Sequence, residues 1–122
     1  MLADGPYLWL ATSGGLYHVP LDGGDTTVYR SPADLRDIDL TALVRLEDGN
    51  VWIGTREGFV VELDPSAERF TAYNSLNYSG WHISCMVPHK QYLLIGTPNG
   101  LSFFDPHTGR VRFNAKQFGG LT

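Results

Sequence analysis

The segment with the densest set of chemically active side chains runs from residue 77 to residue 82. It reads Asn77-Tyr78-Ser79-Gly80-Trp81-His82, so it combines two aromatic rings, amide and hydroxyl groups and a titratable imidazole. Aromatic platforms beside a few hydrogen-bonding groups suit stacking on, and hydrogen bonding to, a small polar ligand such as a sugar ring. A structural interpretation stands beside this one, in which Trp81 packs inside the protein and Tyr78 lies on a surface loop.

Arrangements that would carry metal binding or catalysis are not found in the sequence. The histidines lie on different predicted strands and turns, without the short paired spacing of zinc sites; they are His18, His82, His89 and His107. We expect the last two to be solvated in turns. No serine occupies the strand-to-helix turn of a hydrolase nucleophile. The sequence therefore predicts no metal, no cofactor and no catalytic residues.

Two further features have simple structural interpretations. Gly14-Gly15 and Gly23-Gly24 are turn glycines, because no helix follows them whose N-terminus could bind a phosphate. Cys85 is the single cysteine, which excludes an internal disulfide. Because it lies on a predicted inner strand, we expect it to be a small buried apolar residue and not a reactive thiol.

The elements that must position these residues form a repeat. Three segments align, Leu8–Thr12, Val51–Thr55 and Leu93–Thr97, at offsets of 43 and 42 residues. Each is followed by a glycine, a second apolar run, an aspartate turn and a third short strand. A further strand precedes the second and third copies, at Leu40–Val44 and Ile83–Val87. Four short strands per unit, repeated every roughly 40 to 45 residues, are typical of the blades of a β-propeller.

The sequence thus predicts an all-β partial β-propeller of about three four-stranded antiparallel blades, the first of which lacks its inner strand. We label the strands of a blade A to D from the inside outwards. Trp9 and Trp52 share one blade position and are predicted core residues, and the segment Pro32–Leu40 is interpreted as a loop. The predicted bounds are 5–31 for blade 1, 38–74 for blade 2 and 81–114 for blade 3, with a tail, 115–122, that leads toward a next blade.

One unit resembles a known family. The turn and strand Asp48–Thr55, followed by Gly58-Phe59 and Leu63-Asp64-Pro65, resemble the two-component regulator propeller repeat. The third unit is similar to a worn copy of the same repeat. The resemblance implies the periplasmic sensor propeller of bacterial hybrid histidine kinases and related regulators, where carbohydrate-like ligands are common. Streptogramin-lyase-like propellers share the turn before Trp52 and remain an alternative.

Propeller ligands usually bind at one mouth of the central channel, on the D-to-A and B-to-C loops. On that basis the candidate ligand-binding residues are Asp39, Arg56, Asn77, Tyr78, Trp81, His82 and Asn99. Asp39 and His82 align at the start of their A strands, so we expect both near the channel mouth, in a shared polar funnel or simply exposed to solvent.

Charge and length restrict the partners. The formal net charge of −4 is opposite in sign to the basic face that nucleic-acid binding requires, and no apolar stretch is long enough to span a membrane. Three blades are fewer than the about four to eight of a closed propeller. We therefore expect the blade flanks to need a partner, either further blades of the same chain or a second copy.

Taken together, the sequence favours a non-catalytic ligand-sensing or interaction propeller that forms part of a larger two-component-type regulator. Two alternatives stay open. One is a lyase-type propeller enzyme with His82 and a metal at the channel mouth. The other is a purely structural scaffold that mediates oligomerisation.

Overall fold

Three four-stranded antiparallel sheets make up the fold. The computed structural model describes residues 1–73, 82–98 and 100–115. The first sheet contains β1 (Leu2–Asp4), β2 (Tyr7–Thr12), β3 (Gly15–Pro20) and β4 (Thr27–Tyr29). The second contains β5 (Leu40–Arg45), β6 (Val51–Thr55), β7 (Val60–Asp64) and β8 (Arg69–Tyr73). The third contains β9 (Cys85–His89), β10 (Tyr92–Thr97), β11 (Gly100–Asp105) and β12 (Arg110–Ala115).

In each sheet the strands follow the order of the chain and every neighbouring pair is antiparallel, so each sheet is a blade with strands A to D. The prediction of an all-β partial propeller with four-stranded blades is confirmed. A single helical element, α1 (Pro32–Leu35), occurs within the described ranges. It is one turn long, so no helix there has the length or the apolar character needed to cross a membrane.

The first blade is complete, and the prediction that it lacks its inner strand is wrong. β1 pairs with β2, and Asp4 lies opposite Tyr7. The two strands are joined by Gly5-Pro6, where Gly5 has φ 57°, a left-handed conformation that glycine adopts without steric cost. A strand of three residues is too short to show the alternation by which strands are recognised in a sequence.

The segment before the second blade also differs from expectation. Pro32–Leu35 forms a helical turn instead of a loop, and the carbonyl of Ser31 accepts hydrogen bonds from the amides of Asp34 and Leu35. The Leu35 side chain is completely buried in the core between the first two blades. This contact stabilises the turn, because a helix of four residues has little stability of its own in water.

Cys85 is exposed, which overturns the expectation that it is buried. Met86 next to it packs into the core between the second and third blades. Because successive residues of a strand point to opposite faces of the sheet, Cys85 lies on the far face of the third blade. That face is turned away from the second blade, so a place on an inner strand does not by itself bury the residue.

Two apolar clusters hold the blades together. The first interface, between blades 1 and 2, buries Trp9 with aliphatic residues of both sheets, among them Leu16, Ile53 and Leu63. The second interface, between blades 2 and 3, buries Trp52 with Val60, Leu93, Ile95 and Phe104, among others. Both indoles are 1% exposed, which confirms the prediction that Trp9 and Trp52 are core residues.

Polar contacts also cross the first interface. Asp4 accepts a hydrogen bond from Trp9 Nε1 at 3.1 Å and, through its other oxygen, from Arg45 Nη1 at 2.5 Å. The Tyr29 hydroxyl donates to Glu68 Oε2 at 2.8 Å. Burial, reinforced by the hydrogen bond and the charge of Glu68, raises the pKa of Tyr29 to about 12.

Close packing at Gly54 yields a stability prediction. A Cβ atom at Gly54 would lie 2.6 Å from Ile83 Cγ2 and 3.0 Å from Met86 Sδ, across the second interface. We expect Gly54→Ala to lower the free energy of unfolding by about 1–3 kcal/mol, because overpacking forces neighbouring side chains apart. Denaturant unfolding followed by circular dichroism measures this.

Gly14→Ala is the matched control. Its added Cβ would meet nothing nearer than Thr12 Oγ1 at 4.0 Å, and Gly14 does not have a positive φ. We expect a change within about 0.5 kcal/mol, because the added methyl group has room and strains no neighbour. Equal losses for the two variants would contradict the packing described at Gly54.

Candidate functional site

Three of the seven predicted ligand-binding residues lie in the described ranges, and they stand at one end of the second blade. Asp39 immediately precedes β5, Arg56 immediately follows β6, and His82 lies three residues before β9. This is the end where the B-to-C turn meets the D-to-A connections. The other four, Asn77, Tyr78, Trp81 and Asn99, lie outside the described residues and stay predictions.

Backbone hydrogen bonds bring these positions together. The Arg56 amide donates to the Asp39 carbonyl at 2.9 Å, which continues the pairing of β5 with β6 by one residue. The Ile83 amide donates to the Thr55 carbonyl at 3.0 Å, which ties the entry to the third blade to the same turn. The half-buried His82 is thereby placed beside the Thr55–Arg56 corner.

Asp37 fixes this corner, although it is not one of the predicted site residues. Its Oδ1 accepts a hydrogen bond from the Asp39 amide at 3.0 Å, and its Oδ2 accepts one from the Glu57 amide at 2.9 Å. One carboxylate therefore clamps the D-to-A connection to the B-to-C turn. An aspartate two residues before the amide that it caps is typical of an Asx turn, so the first of these two bonds could have been predicted.

Asp39 and Arg56 form a loose ion pair at the surface of the corner. Arg56 Nε lies 3.8 Å from Asp39 Oδ2, and the side chains are 68% and 36% exposed. A pair with this separation and exposure adds little to stability. Breaking the pair therefore costs little free energy. The carboxylate and the guanidinium can then form hydrogen bonds with the hydroxyl, amide or carboxylate groups of a ligand.

The other histidines take no part in this corner. His18 is stacked between the rings of Tyr7 and Trp9, with ring centroids 4.5 Å and 3.9 Å away. His89 and His107 are exposed, as predicted. Over residues 1–73, 82–98 and 100–115, no three histidine, cysteine, aspartate or glutamate side chains stand close enough together to hold a metal ion.

Comparisons with known proteins place the fold. No family model matches the chain, and no curated protein matches it. Solved structures do match. Two structures of one Bacteroides thetaiotaomicron extracellular domain, described in one case as part of a one-component system and in the other as part of a hybrid two-component system, align with TM-scores of 0.74 and 0.77 at 22% and 23% identity.

A third structure is the extracellular domain of another B. thetaiotaomicron protein described as a hybrid two-component system. It aligns with a TM-score of 0.68 at 25% identity. The three alignments cover 89–90% of this chain but only 14–15% of those chains. The chain is a partial β-propeller, and the part of it that aligns spans only about one seventh of the extracellular domains that it resembles.

The corner predicts a clear difference between two substitutions. We expect Asp37→Ala to lower the free energy of unfolding by about 1–3 kcal/mol, because two backbone amides lose a charged acceptor. Arg56→Ala, in contrast, should change it by less than about 0.5 kcal/mol, because an exposed ion pair contributes little. Denaturant unfolding of both variants measures the difference.

Hydrogen exchange supplies the control for this pair. The Asp39 and Glu57 amides should lose protection in Asp37→Ala and keep it in Arg56→Ala. A large loss of stability in Arg56→Ala would give that residue a structural role and would argue against its assignment to ligand contact.

Proposed function

We propose that the chain is a non-catalytic sensing segment of the extracellular propeller of a two-component-type regulator. The observation that supports this most is the alignment of three blades with an extracellular domain of a hybrid two-component system, at a TM-score of 0.77 over 89% of the chain. The segment then works outside the cytoplasm, in the periplasm or at the cell exterior of a bacterium.

Ligand contact is assigned to the end of the blades that carries Asp39, Arg56 and His82. Arg56 and Asp39 offer donors and acceptors in an exposed pair, and His82 adds an imidazole beside them. The predicted aromatic residues Tyr78 and Trp81 precede His82 in the sequence. Polar groups of both kinds beside aromatic rings suit a carbohydrate-like ligand, because hydroxyl groups both donate and accept hydrogen bonds and sugar rings stack on aromatic faces.

The far face of the third blade is proposed to contact a further blade. Val44 and Val87 occupy the same position in β5 and β9, opposite Trp52 and Leu94. Val44 packs against the third blade, whereas Val87 is 51% exposed. Ala42 and Cys85 are a second example of matching positions. Ala42 packs against the third blade, whereas Cys85 is exposed. The third blade thus exposes the face that, in the second blade, is covered by the third blade.

An extended chain tests this contact. In a longer chain that continues beyond residue 122 into the next blade, Cys85 should react with a maleimide at least tenfold more slowly than in the 122-residue chain, because the next sheet covers it. Mass measurement of the 122-residue chain provides the second arm. If it forms a dimer and Val87→Asp makes it monomeric, a second copy covers the face instead. Unchanged reactivity in the longer chain, together with a monomeric 122-residue chain, would contradict the proposal.

A saccharide screen tests the sensing function. We expect at least one mono- or oligosaccharide to raise the melting temperature of the chain, by roughly 5 °C at a ligand concentration ten times the Kd. Trp81→Ala or Tyr78→Ala should abolish the shift, and Arg56→Ala should weaken binding about tenfold, since a charge-assisted hydrogen bond is lost. Differential scanning fluorimetry followed by calorimetry measures both effects.

Arg110→Ala is the matched control for Arg56→Ala, because it removes an exposed arginine elsewhere in the fold. It should leave binding unchanged. A screen in which no saccharide shifts the melting temperature, or a shift that survives all three site substitutions, would contradict the assignment. An activity that requires an added metal and disappears in His82→Ala would support the lyase-type alternative.

A further inference from the structure

The first blade has an apolar face on the side away from the second blade. Leu8 lies opposite Val19, and Leu10 lies opposite Tyr17, in the pairing of β2 with β3. Trp9, between Leu8 and Leu10, packs into the first interface, and successive residues of a strand point to opposite faces of the sheet. The two pairs therefore point away from the second blade. All four residues are half-buried, and we call them the open face of the first blade.

The same positions are completely covered in the other two blades. There they are taken by residues that are 0–3% exposed: Val51, Ile53, Val61 and Leu63 in the second blade, and Leu93, Ile95, Ser102 and Phe104 in the third. The apolar ones among them belong to the clusters that join each blade to the preceding one. The open face is thus the side on which a blade of this repeat packs against its predecessor.

The far face of the third blade is the opposite half of this interface. Leu94 occupies the position of Trp9 and Trp52, and it lies opposite Val87 and Phe103. Val87 is 51% exposed, and Leu94 and Phe103 are half-buried. In the first and second blades this side packs against the following sheet. The chain therefore carries, on its first and third blades, the two complementary halves of a contact that it forms twice internally.

The charges of the two faces do not oppose such a contact. The strand registers place His89 at the position of Asp4, and Ala3 at the position of Arg45. A histidine beside an alanine would therefore replace the ion pair of the first interface, without bringing like charges together. In the second interface, too, the position of Arg45 is taken by an uncharged residue, Pro88. The apolar part of the interface is sufficient there to hold the blades together.

The number of blades decides how many copies fit together. A contact between two different faces leads from copy to copy, so it forms a closed ring or an open chain. Each chain has three blades, so two copies contain six and three copies contain nine. Closed propellers have about four to eight blades. Two copies therefore make the ring in which both faces of each chain are covered.

We propose that two copies of the chain bind head to tail, with the far face of each third blade packed on the open face of the other copy's first blade. This pairing rests on the proposed contact of the third blade with a further blade, and it identifies that blade for the 122-residue chain. Burial of Val87, Leu94, Leu8 and Leu10 away from water provides the free energy of binding. Each dimer has two equal contacts, so both are weakened when either face is changed.

The mass in solution tests the pairing first. Light scattering should give twice the chain mass of 13.5 kDa for the 122-residue chain. Val87→Asp and Leu10→Asp should each be monomeric, because each places a carboxylate inside an apolar contact. Leu21→Asp is the matched control, since Leu21 is an exposed apolar residue outside the strands of both faces, and it should leave the dimer intact. Circular dichroism confirms that each variant is folded, and Val19→Asp replaces Leu10→Asp if that variant unfolds.

Mixing the two variants distinguishes this pairing from others. Val87→Asp keeps its open face and Leu10→Asp keeps its far face, so one of the two contacts joins unchanged surfaces. The mixture should therefore contain a dimer with one copy of each variant, which native mass spectrometry identifies when one of them is ¹⁵N-labelled. In a dimer that joins two third blades, Leu10→Asp would have no effect, and Val87→Asp would not be rescued.

The thiol of Cys85 reports the same contact independently. Ala42, at the matching position, packs against the third blade, so Cys85 is covered when a sheet lies on the far face. Its reaction with a maleimide should become at least tenfold slower as the concentration of the chain is raised through the range of dimerisation. In Leu10→Asp the rate should not depend on concentration, although Leu10 belongs to the first blade. The comparison with a longer chain is made in dilute protein, where the 122-residue chain is monomeric.

A chain that is monomeric at every concentration would overturn the proposal. A dimer that Leu10→Asp leaves intact, or a mixture of the two variants that stays monomeric, would also overturn it. If Cys85 is protected in a longer chain while the 122-residue chain is monomeric, the third blade contacts a further blade of its own chain, and only the second copy is excluded. The response to saccharides has no bearing on this pairing, so the sensing function and the dimer fail separately.

Discussion

The packing of a tryptophan between successive sheets is the contact on which the rest of the structure depends. Trp9 and Trp52 each extend from the second strand of one blade toward the next blade, and each is almost completely buried there. The backbone pairing of the ladders closes within each sheet, so what joins one blade to another is this apolar contact with a few hydrogen bonds around it. Burial of apolar surface is the largest favourable contribution to such a contact. The relative position of the blades, and with it every site between them, follows from how the space around the indole is filled.

The two interfaces fill that space differently, although the strands around them are equivalent. In the first, the carboxylate of Asp4 joins the indole of Trp9 to the guanidinium of Arg45. In the second, Pro88 replaces the arginine, and the Trp52 indole nitrogen is left without an acceptor. A propeller can accept such a change because the apolar part of the interface is continuous without it. Unequal copies of one repeat therefore produce interfaces with different polar contacts.

Much of this fold could be predicted from the spacing of apolar strands and turn residues, because a blade is a local structure whose strands are neighbours in the chain. The burial of Trp9 and Trp52 followed from the same repeat. The inner strand Leu2–Asp4 and the turn at Pro32–Leu35 were missed because each is stabilised by packing against another element, which a local pattern does not contain. The exposure of Cys85 depends on which face of a sheet is covered, and the polar contacts of the second interface depend on a mismatch between two blades. Neither is visible until matched positions are compared across an interface.

The two ends of the blades are held by different kinds of contact, and this difference bears on what each end can bind. At the end with Asp39 and Arg56, the contacts end on backbone groups: the Ile83 amide donates to the Thr55 carbonyl, and the side-chain carboxylate of Asp37 accepts from two amides. Exposed side chains there can vary without disrupting the interface. The side chains of the loops can therefore set ligand specificity at that end. At the other end, side chains make the polar contacts between blades, as Arg45 and Asp4 do. In the second interface both members of this pair are apolar, because Leu46 stands at the position of Asp4 and Pro88 at the position of Arg45. The first end therefore suits recognition by added loops, whereas at the second end a change of side chain changes the contact between the blades itself.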